Sequence, residues 1–271
     1  MAAITLAPAA VGKTRELDAT QRALEKTFER LSSGKLLNRA SDDAAALAIS
    51  ETLRAAERSL QQGVRNLSDG VSVVRTAEGG LSQASEITSR LRELAVQAGS
   101  STVTDVGQQA IQAEFDQLTS ELSRLSETTT FNGQKLLNGD TSGVDALTVR
   151  DGTDAGDVVQ VSIEDQSAEA LGLAGLQADD PEALDAIDQA LSQISSTRAE
   201  LGAAETRLES GIDNLRTIAE NTSAANSRIR DTDFAQAAAE RAKNQILQQF
   251  QVAVQGQANV AASTALALLG G

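Results

Sequence analysis

From Ile49 to Ala98, apolar residues recur at every third or fourth position: Ile49, Leu53, Ala56, Leu60, Val64, Leu67, Val71, Val74, Ala77, Leu81, Ala84, Ile87, Leu91, Leu94 and Ala98. Steps of three and four place these side chains on one face of an α-helix. The pattern predicts a helix over residues 42–98. Ser41 stands where an N-cap is needed, and Asp42 and Asp43 put negative charge in the first turn. Such a helix would be about 85 Å long, too long for a compact domain to bury along its whole length.

The same period recurs twice more. After a break at Gly99 to Thr104, Asp105 and Gln108 have capping-box spacing and precede the stripe Ile111, Phe115, Leu118, Leu122 and Leu125. Asp180-Pro181 reads as a cap followed by proline at the first helical position. The stripe that follows is Leu184, Ile187, Leu191, Ile194, Leu201, Leu208, Ile212, Leu215 and Ala219, continuing to about Ile229 and interrupted by Arg198 and Glu205. Between these helices the texture changes. Phe131-Asn132-Gly133 and Asn138-Gly139-Asp140 are turn sequences. Leu147-Thr148-Val149 and Val158 to Ile163 read as two strands of a small hairpin around a Gly/Asp-rich turn.

The two ends of the chain mirror one another. Near 14–32, Leu17, Leu24, Phe28 and Leu31 fall at heptad-like spacing; near 233–269 lie Phe234, Ile246, Leu247, Phe250, Val252, Val254, Val260, Leu266, Leu268 and Leu269. The apolar residues of the last helix are not confined to one stripe, so it needs cover on several sides. Nothing else in the chain is large enough to supply it. Either it pairs with the first helix and then with neighbouring chains, or it stays disordered. The fold class that follows is mainly α: a long helical hairpin or coiled-coil bundle with a small β-hairpin insert, its termini paired as a helical coiled coil.

Composition narrows the chemistry. The 271 residues include no His, Cys, Trp or Tyr and five Phe, while 41% are hydrophobic. Without His or Cys there is no Ser-His-Asp triad, no Cys-His nucleophile and no His/Cys zinc site. A net charge of −15, with no basic stripe, argues against nucleic acid and anionic membrane as partners. No apolar run approaches the roughly 20 residues that span a bilayer. The segment from Met1 to Gly12 lacks the basic start of a secretory signal peptide.

The remaining constellations have ordinary readings beside their chemical ones. Asp42-Asp43 is either a catalytic carboxylate pair or, more commonly, acidic residues at a helix start. Asp151, Asp154 and Asp157 suggest a calcium loop but lack its bidentate Glu and regular spacing. Gly63, Gly70, Gly79 and Gly80 fall inside the long helix, where each costs about 1 kcal/mol against Ala. Four in one helix favour close helix approach or a built-in bend. Ser and Thr cluster at Ser126 to Thr130 and at Thr141-Ser142, where O-glycosylation would be chemically feasible.

Several linked segments resemble bacterial flagellin. They are Glu29-Arg30-Leu31-Ser32-Ser33-Gly34, Ser41 to Ser50, Asn66 to Ser72, Thr76 to Leu81, Arg92 to Gln97 and Phe131 to Leu137, then Ser227 to Ala235 and Gln245 to Gln249. The likeness covers residues 13–138 and 181–269. Two departures stand out: Thr5-Leu6-Ala7-Pro8 where the family has an Asn-Thr-Asn stretch, and Gly270-Gly271 where it commonly ends in Arg.

The resemblance implies a non-enzymatic, cofactor-free subunit that polymerises into the extracellular flagellar filament used for motility, and that is exported by a type III route without a cleaved signal. A hook–filament junction protein of the same superfamily is the alternative. Residues 1–40 plus 231–271 would form an inner filament core, 41–130 plus 179–230 a long-helix shell, and 131–178 a hairpin region attached to it. The assembly core would be Leu17, Leu24, Phe28, Leu31, Phe234, Ile246, Leu247, Phe250, Leu266, Leu268 and Leu269. The implied partners are copies of the chain itself, flagellar cap and hook-associated proteins and an export chaperone. Toll-like receptor 5 is a further implied partner through Arg90, Leu94 and Glu114, with Leu94 reaching the surface at the edge of its stripe.

Overall fold

The computed structural model describes residues 3–142, 147–150 and 158–269, with side-chain surroundings from residue 12 to residue 264 except residue 262. The elements run α1 (Ala3–Ser33), α2 (Ala44–Ala98), α3 (Asp105–Thr128), β1 (Thr130–Phe131), β2 (Gln134–Lys135), β3 (Leu147–Arg150), β4 (Val158–Val161), α4 (Ala183–Arg230) and α5 (Phe234–Leu269). The chain divides into two compact units, residues 56–220 and residues 1–55 with 221–271. It is mainly α, as the periodicity predicts.

In the unit of residues 56–220, the stripes become one core. Leu67, Val74, Leu81 and Leu91 of α2 are buried together with Phe115 and Leu122 of α3 and Ile187, Ile194, Leu201 and Leu208 of α4. The charges that interrupt the α4 stripe are matched across the seam. Glu205 accepts a hydrogen bond from the Arg75 guanidinium at 2.7 Å, and Arg198 lies 3.7 Å from Glu78. Glu209 also meets Arg75, at 3.2 Å. A charge on a half-exposed seam is tolerated where its partner sits on the facing helix.

Helix starts correct two details of the sequence reading. The N-cap of α2 is Asp43, whose carboxylate accepts the Ala46 N–H at 2.9 Å, rather than Ser41. Asp42 turns back and accepts the Asn38 and Arg39 N–H groups instead. The N-cap of α3 is Thr104 in extended conformation, accepting the Gly107 N–H, so Asp105 becomes the first helical residue. A threonine hydroxyl at the extended residue reaches the second or third N–H of the helix, and this one pre-empts the role read for Asp105. At α4, the Asp180 carboxylate accepts the Glu182 N–H and its carbonyl accepts the Ala183 N–H.

The insert holds two hairpins where one was read. β3 and β4 pair antiparallel with Leu147 opposite Val161 and Val149 opposite Val159. The sequence Phe131-Asn132-Gly133, read as a turn alone, also closes β1 against β2. Asn132 and Gly133 have φ of 50° and 81°, the pair of left-handed residues that a two-residue hairpin turn requires. Two of the four α2 glycines make room for this insert. A Cβ on Gly80 would lie 2.7 Å from Leu137 Cδ1, and one on Gly70 would lie 3.0 Å from Val149. Gly79 has nothing within 4 Å of that position, so close approach accounts for two glycines and not for it. The Asp151, Asp154 and Asp157 stretch lies outside the described residues.

Candidate assembly surface

The terminal unit is built on the pairing of α1 with α5. Leu17, Leu24 and Leu31 are half-buried, and Thr27 and Ala237 are fully buried. The larger apolar side chains are not. Phe28 is 58% exposed, Phe234 58%, Ile246 and Phe250 67% each and Val260 64%, with Leu247 and Val252 also exposed. Pairing two amphipathic helices covers one face of each, and α5 is apolar on more than one face. The Arg241 guanidinium lies 5.5 Å from the Phe28 ring centroid, a cation–π contact that leaves most of the ring in solvent. Leu266, Leu268 and Leu269 belong to α5 by backbone, but their side chains lie outside the described residues.

The segments leading into these helices are clasped together. The Leu36 N–H donates to the Arg230 carbonyl at 2.6 Å and the Thr232 N–H donates to the Gly34 carbonyl at 3.0 Å, flanking an antiparallel bridge between Lys35 and Asp231. Gly34 takes φ of 69° with the Phe234 ring beside it, a position that a side chain would strain. Asp233 caps α5 by accepting the Ala235 and Gln236 N–H groups. The Lys26 ammonium lies 2.6 Å from the Asp42 carboxylate. That bond, helped by the two backbone N–H groups and opposed by partial burial, pulls the Asp42 pKa down from 3.8 to about 2. Arg230 meets Glu51 at 2.7 Å, and the buried Ser50 hydroxyl donates to Asn226 at 2.8 Å.

Sequence periodicity missed this clasp because its members are polar and far apart in the chain. It also placed Ile49 in the stripe, yet Ile49 is half-exposed and its neighbour Ser50 is buried. The hydroxyl of Ser50 has a partner in Asn226, so the small polar residue can be enclosed where the isoleucine is not.

Of the three residues singled out on the α2–α3 face, two come together. Arg90 lies 2.9 Å from Glu114, 24 positions away, and 2.7 Å from Glu93 on its own helix. Its two carboxylate partners, Glu93 first, raise its pKa above the usual guanidinium value. Leu94 does not join them at the surface: it is 1% exposed, inside the same core cluster as Leu91 and Phe115. The expectation that it reaches solvent at the stripe's edge is corrected by its depth in the three-helix packing. Among the Ser/Thr clusters, Ser126 and Thr141 are buried, while Thr128 and Thr130 are exposed. Among the described residues, no acidic group of three or more could hold a metal ion. No helix there is long and apolar enough to cross a membrane.

Comparison with known proteins agrees with this architecture at both ends. The family model described as bacterial flagellin N-terminal helical region matches residues 5–142, and that for the C-terminal helical region matches residues 184–269. The chain is 40% identical to a flagellin of Bacillus subtilis, over 96% of this chain and 97% of that one. It is 43% identical to a flagellin of Halalkalibacterium halodurans, over 90% and 91%. It is 36% identical to the flagellar filament 31.3 kDa core protein of Treponema maltophilum, over 96% and 97%. The crystal structure of Bacillus cereus flagellin, 26% identical, aligns with 60% of this chain and 94% of its own at a TM-score of 0.49. With a family model matched at each end and relatives aligned along nearly their whole length, this chain belongs to the bacterial flagellin family.

Proposed function

We propose that the chain is built into the flagellar filament through the exposed apolar faces of α1 and α5. Its role as a structural subunit of the filament follows from its family; the junction-protein alternative is not favoured. The residues that drive assembly are the finer reading. The observation that carries it is the set Phe28, Phe234, Ile246, Phe250 and Val260, each more than half exposed on paired helices. Each such side chain gives up about 1.5–3 kcal/mol of hydrophobic stabilisation by staying in water, and a neighbouring copy of the same unit can cover it. A contact between different patches on successive copies does not close and so propagates as an open helical polymer.

In this reading residues 1–40 and 231–271 form the inner core of the filament. Residues 41–130 and 179–230 form a surrounding shell, and 131–178 decorates it. Leu266, Leu268 and Leu269 join the core contacts by their place at the end of α5. The flagellar cap, hook-associated proteins and an export chaperone would engage the same apolar ends. The subunit would reach the extracellular filament by type III export. Toll-like receptor 5 would meet the exposed Arg90–Glu114 pair, with Leu94 supporting the helix from beneath.

Truncation tests the assembly reading directly. Chains lacking residues 1–32 or 233–271 should remain soluble and helical and form no filaments by electron microscopy, whereas the full chain polymerises. Normal filaments from either truncation would sink the assignment.

A further inference from the structure

We propose that Asn132 is a site of spontaneous covalent ageing, its side-chain amide converting through a cyclic imide to aspartate and isoaspartate, while Asn138 is protected. The chain has two asparagines followed by glycine, Asn132-Gly133 and Asn138-Gly139. In such a pair the glycine backbone nitrogen can attack the asparagine Cγ, because no Cβ shields it. The N–Cγ bond forms as the amide proton passes to solvent. Nδ2 takes up a proton from water, the Cγ–Nδ2 bond breaks with its electron pair on nitrogen, and ammonia leaves. Water opens the resulting imide at either carbonyl; opening at the backbone carbonyl yields isoaspartate, which reroutes the main chain through the side chain.

The structure treats the two sites differently. Asn132 is exposed at the tip of the β1–β2 turn. Among the described residues neither its amide nor the Gly133 N–H has a hydrogen-bond partner, and nothing lies within 4 Å of the Cβ position at Gly133. Nucleophile and electrophile are therefore both available, and water reaches both. Asn138 is half-buried. Its Nδ2 donates to the Asp140 carboxylate at 2.7 Å, and its Oδ1 accepts the Asp140 N–H at 3.2 Å. Attack there must first break this two-bond ring. The carboxylates of Asp140 and Asp165 also stand close by: a Cβ on Gly139 would lie 3.6 Å from Asp165 Oδ2. Negative charge at that spot opposes loss of the Gly139 amide proton, which the attack requires.

The consequence is local and structural. Isoaspartate at Asn132 lengthens the backbone inside a two-residue turn joining strands of two residues each, so the register of this hairpin is lost. The chemistry needs only the folded chain and water, and it stands independently of the assembly reading.

The test is to hold the full-length chain in mildly alkaline buffer and map its peptides by mass spectrometry, with enzymatic methylation to report isoaspartate. Conversion at Asn132 is expected to outpace that at Asn138 on the order of tenfold, the factor that two modest hydrogen bonds can impose. The Asn132→Gly variant keeps a turn-competent residue at that position and should lose the label from this peptide alone. In urea the two rates should converge. Equal rates in the folded chain, or faster conversion at Asn138, would overturn the proposal.

Discussion

Lys26 and Asp42 lie on opposite sides of the turn between α1 and α2, their charged atoms 2.6 Å apart. The same carboxylate accepts the Asn38 and Arg39 N–H groups, so one side chain holds both the turn and the end of the terminal helix. Asp42 titrates at about 2 in the folded chain against an ordinary 3.8. A depressed carboxylate pKa contributes stability that is fully present above the unfolded value and is lost as pH falls through the folded one. The terminal unit should therefore loosen between about pH 4 and pH 2. Asp42→Asn should flatten that part of the profile and cost on the order of 1 kcal/mol at neutral pH, since Lys26 is partly in solvent and its attraction is screened. Circular dichroism against pH for both proteins checks it. An unchanged acid profile in the variant would remove Asp42 from the account.

The α2 glycines offer a paired test of packing against propensity. Gly80→Ala would place a methyl 2.7 Å from Leu137 Cδ1, and Leu137 is fully buried. Overpacking of this kind costs about 1–3 kcal/mol, outweighing the gain from replacing glycine in a helix. Gly79→Ala meets nothing within 4 Å and should stabilise by about 0.5–1 kcal/mol. Urea denaturation of the two variants should move the midpoint in opposite directions.

How much of this was legible in the sequence depends on what kind of signal each feature leaves. The stripes from Leu60 to Ala98 and from Ile187 to Leu215 are periodic, and they form the core together. The β3–β4 hairpin was legible because alternation and a Gly/Asp turn are local. The clasp of Leu36 on Arg230 and Thr232 on Gly34 leaves no such trace, since it is made of backbone groups almost two hundred positions apart. The N-caps slipped by one or two residues because Ser41, Asp42, Asp43, Thr104 and Asp105 are all competent caps, and only backbone geometry selects among them. The depth of Leu94 is hidden for a related reason: helical period gives the face of a residue but not how deeply the neighbouring helices enclose it.

That depth separates the two residues in a test of the receptor contact proposed for the α2–α3 face. Leu94→Ala should cost the unit about 2–5 kcal/mol by opening a cavity, so weaker binding would accompany lost stability. Arg90→Ala breaks two exposed ion pairs, to Glu93 and Glu114, which are worth little to folding. It should leave the melting temperature within a few degrees while weakening binding to the Toll-like receptor 5 ectodomain. Binding titrations beside thermal melts of both variants distinguish the roles. Unchanged binding by a folded Arg90→Ala protein would discard the receptor surface.

The strongest test of assembly lies in two exposed side chains on α5. Ile246 and Phe250 are four positions apart, hence on the same helix face, and each is 67% exposed. Within the isolated chain they contribute little, because most of their surface is already in water. Truncating them should leave helix content and solubility of the monomer unchanged. If neighbouring copies cover them, each loses about 1.5–3 kcal/mol of burial on truncation. Every 1.4 kcal/mol shifts an association constant tenfold. Phe250→Ala alone should therefore raise the concentration at which filaments form by roughly ten- to a hundredfold, and the double variant with Ile246→Ala should raise it further. The control is Phe115→Ala, a buried core residue, which should destabilise the monomer first and affect assembly only as a consequence. Light scattering against protein concentration reads the threshold, and circular dichroism reads the fold. A threshold unmoved by Phe250→Ala would mean that the ring stays in solvent within the filament, and that α5 assembles through its other faces.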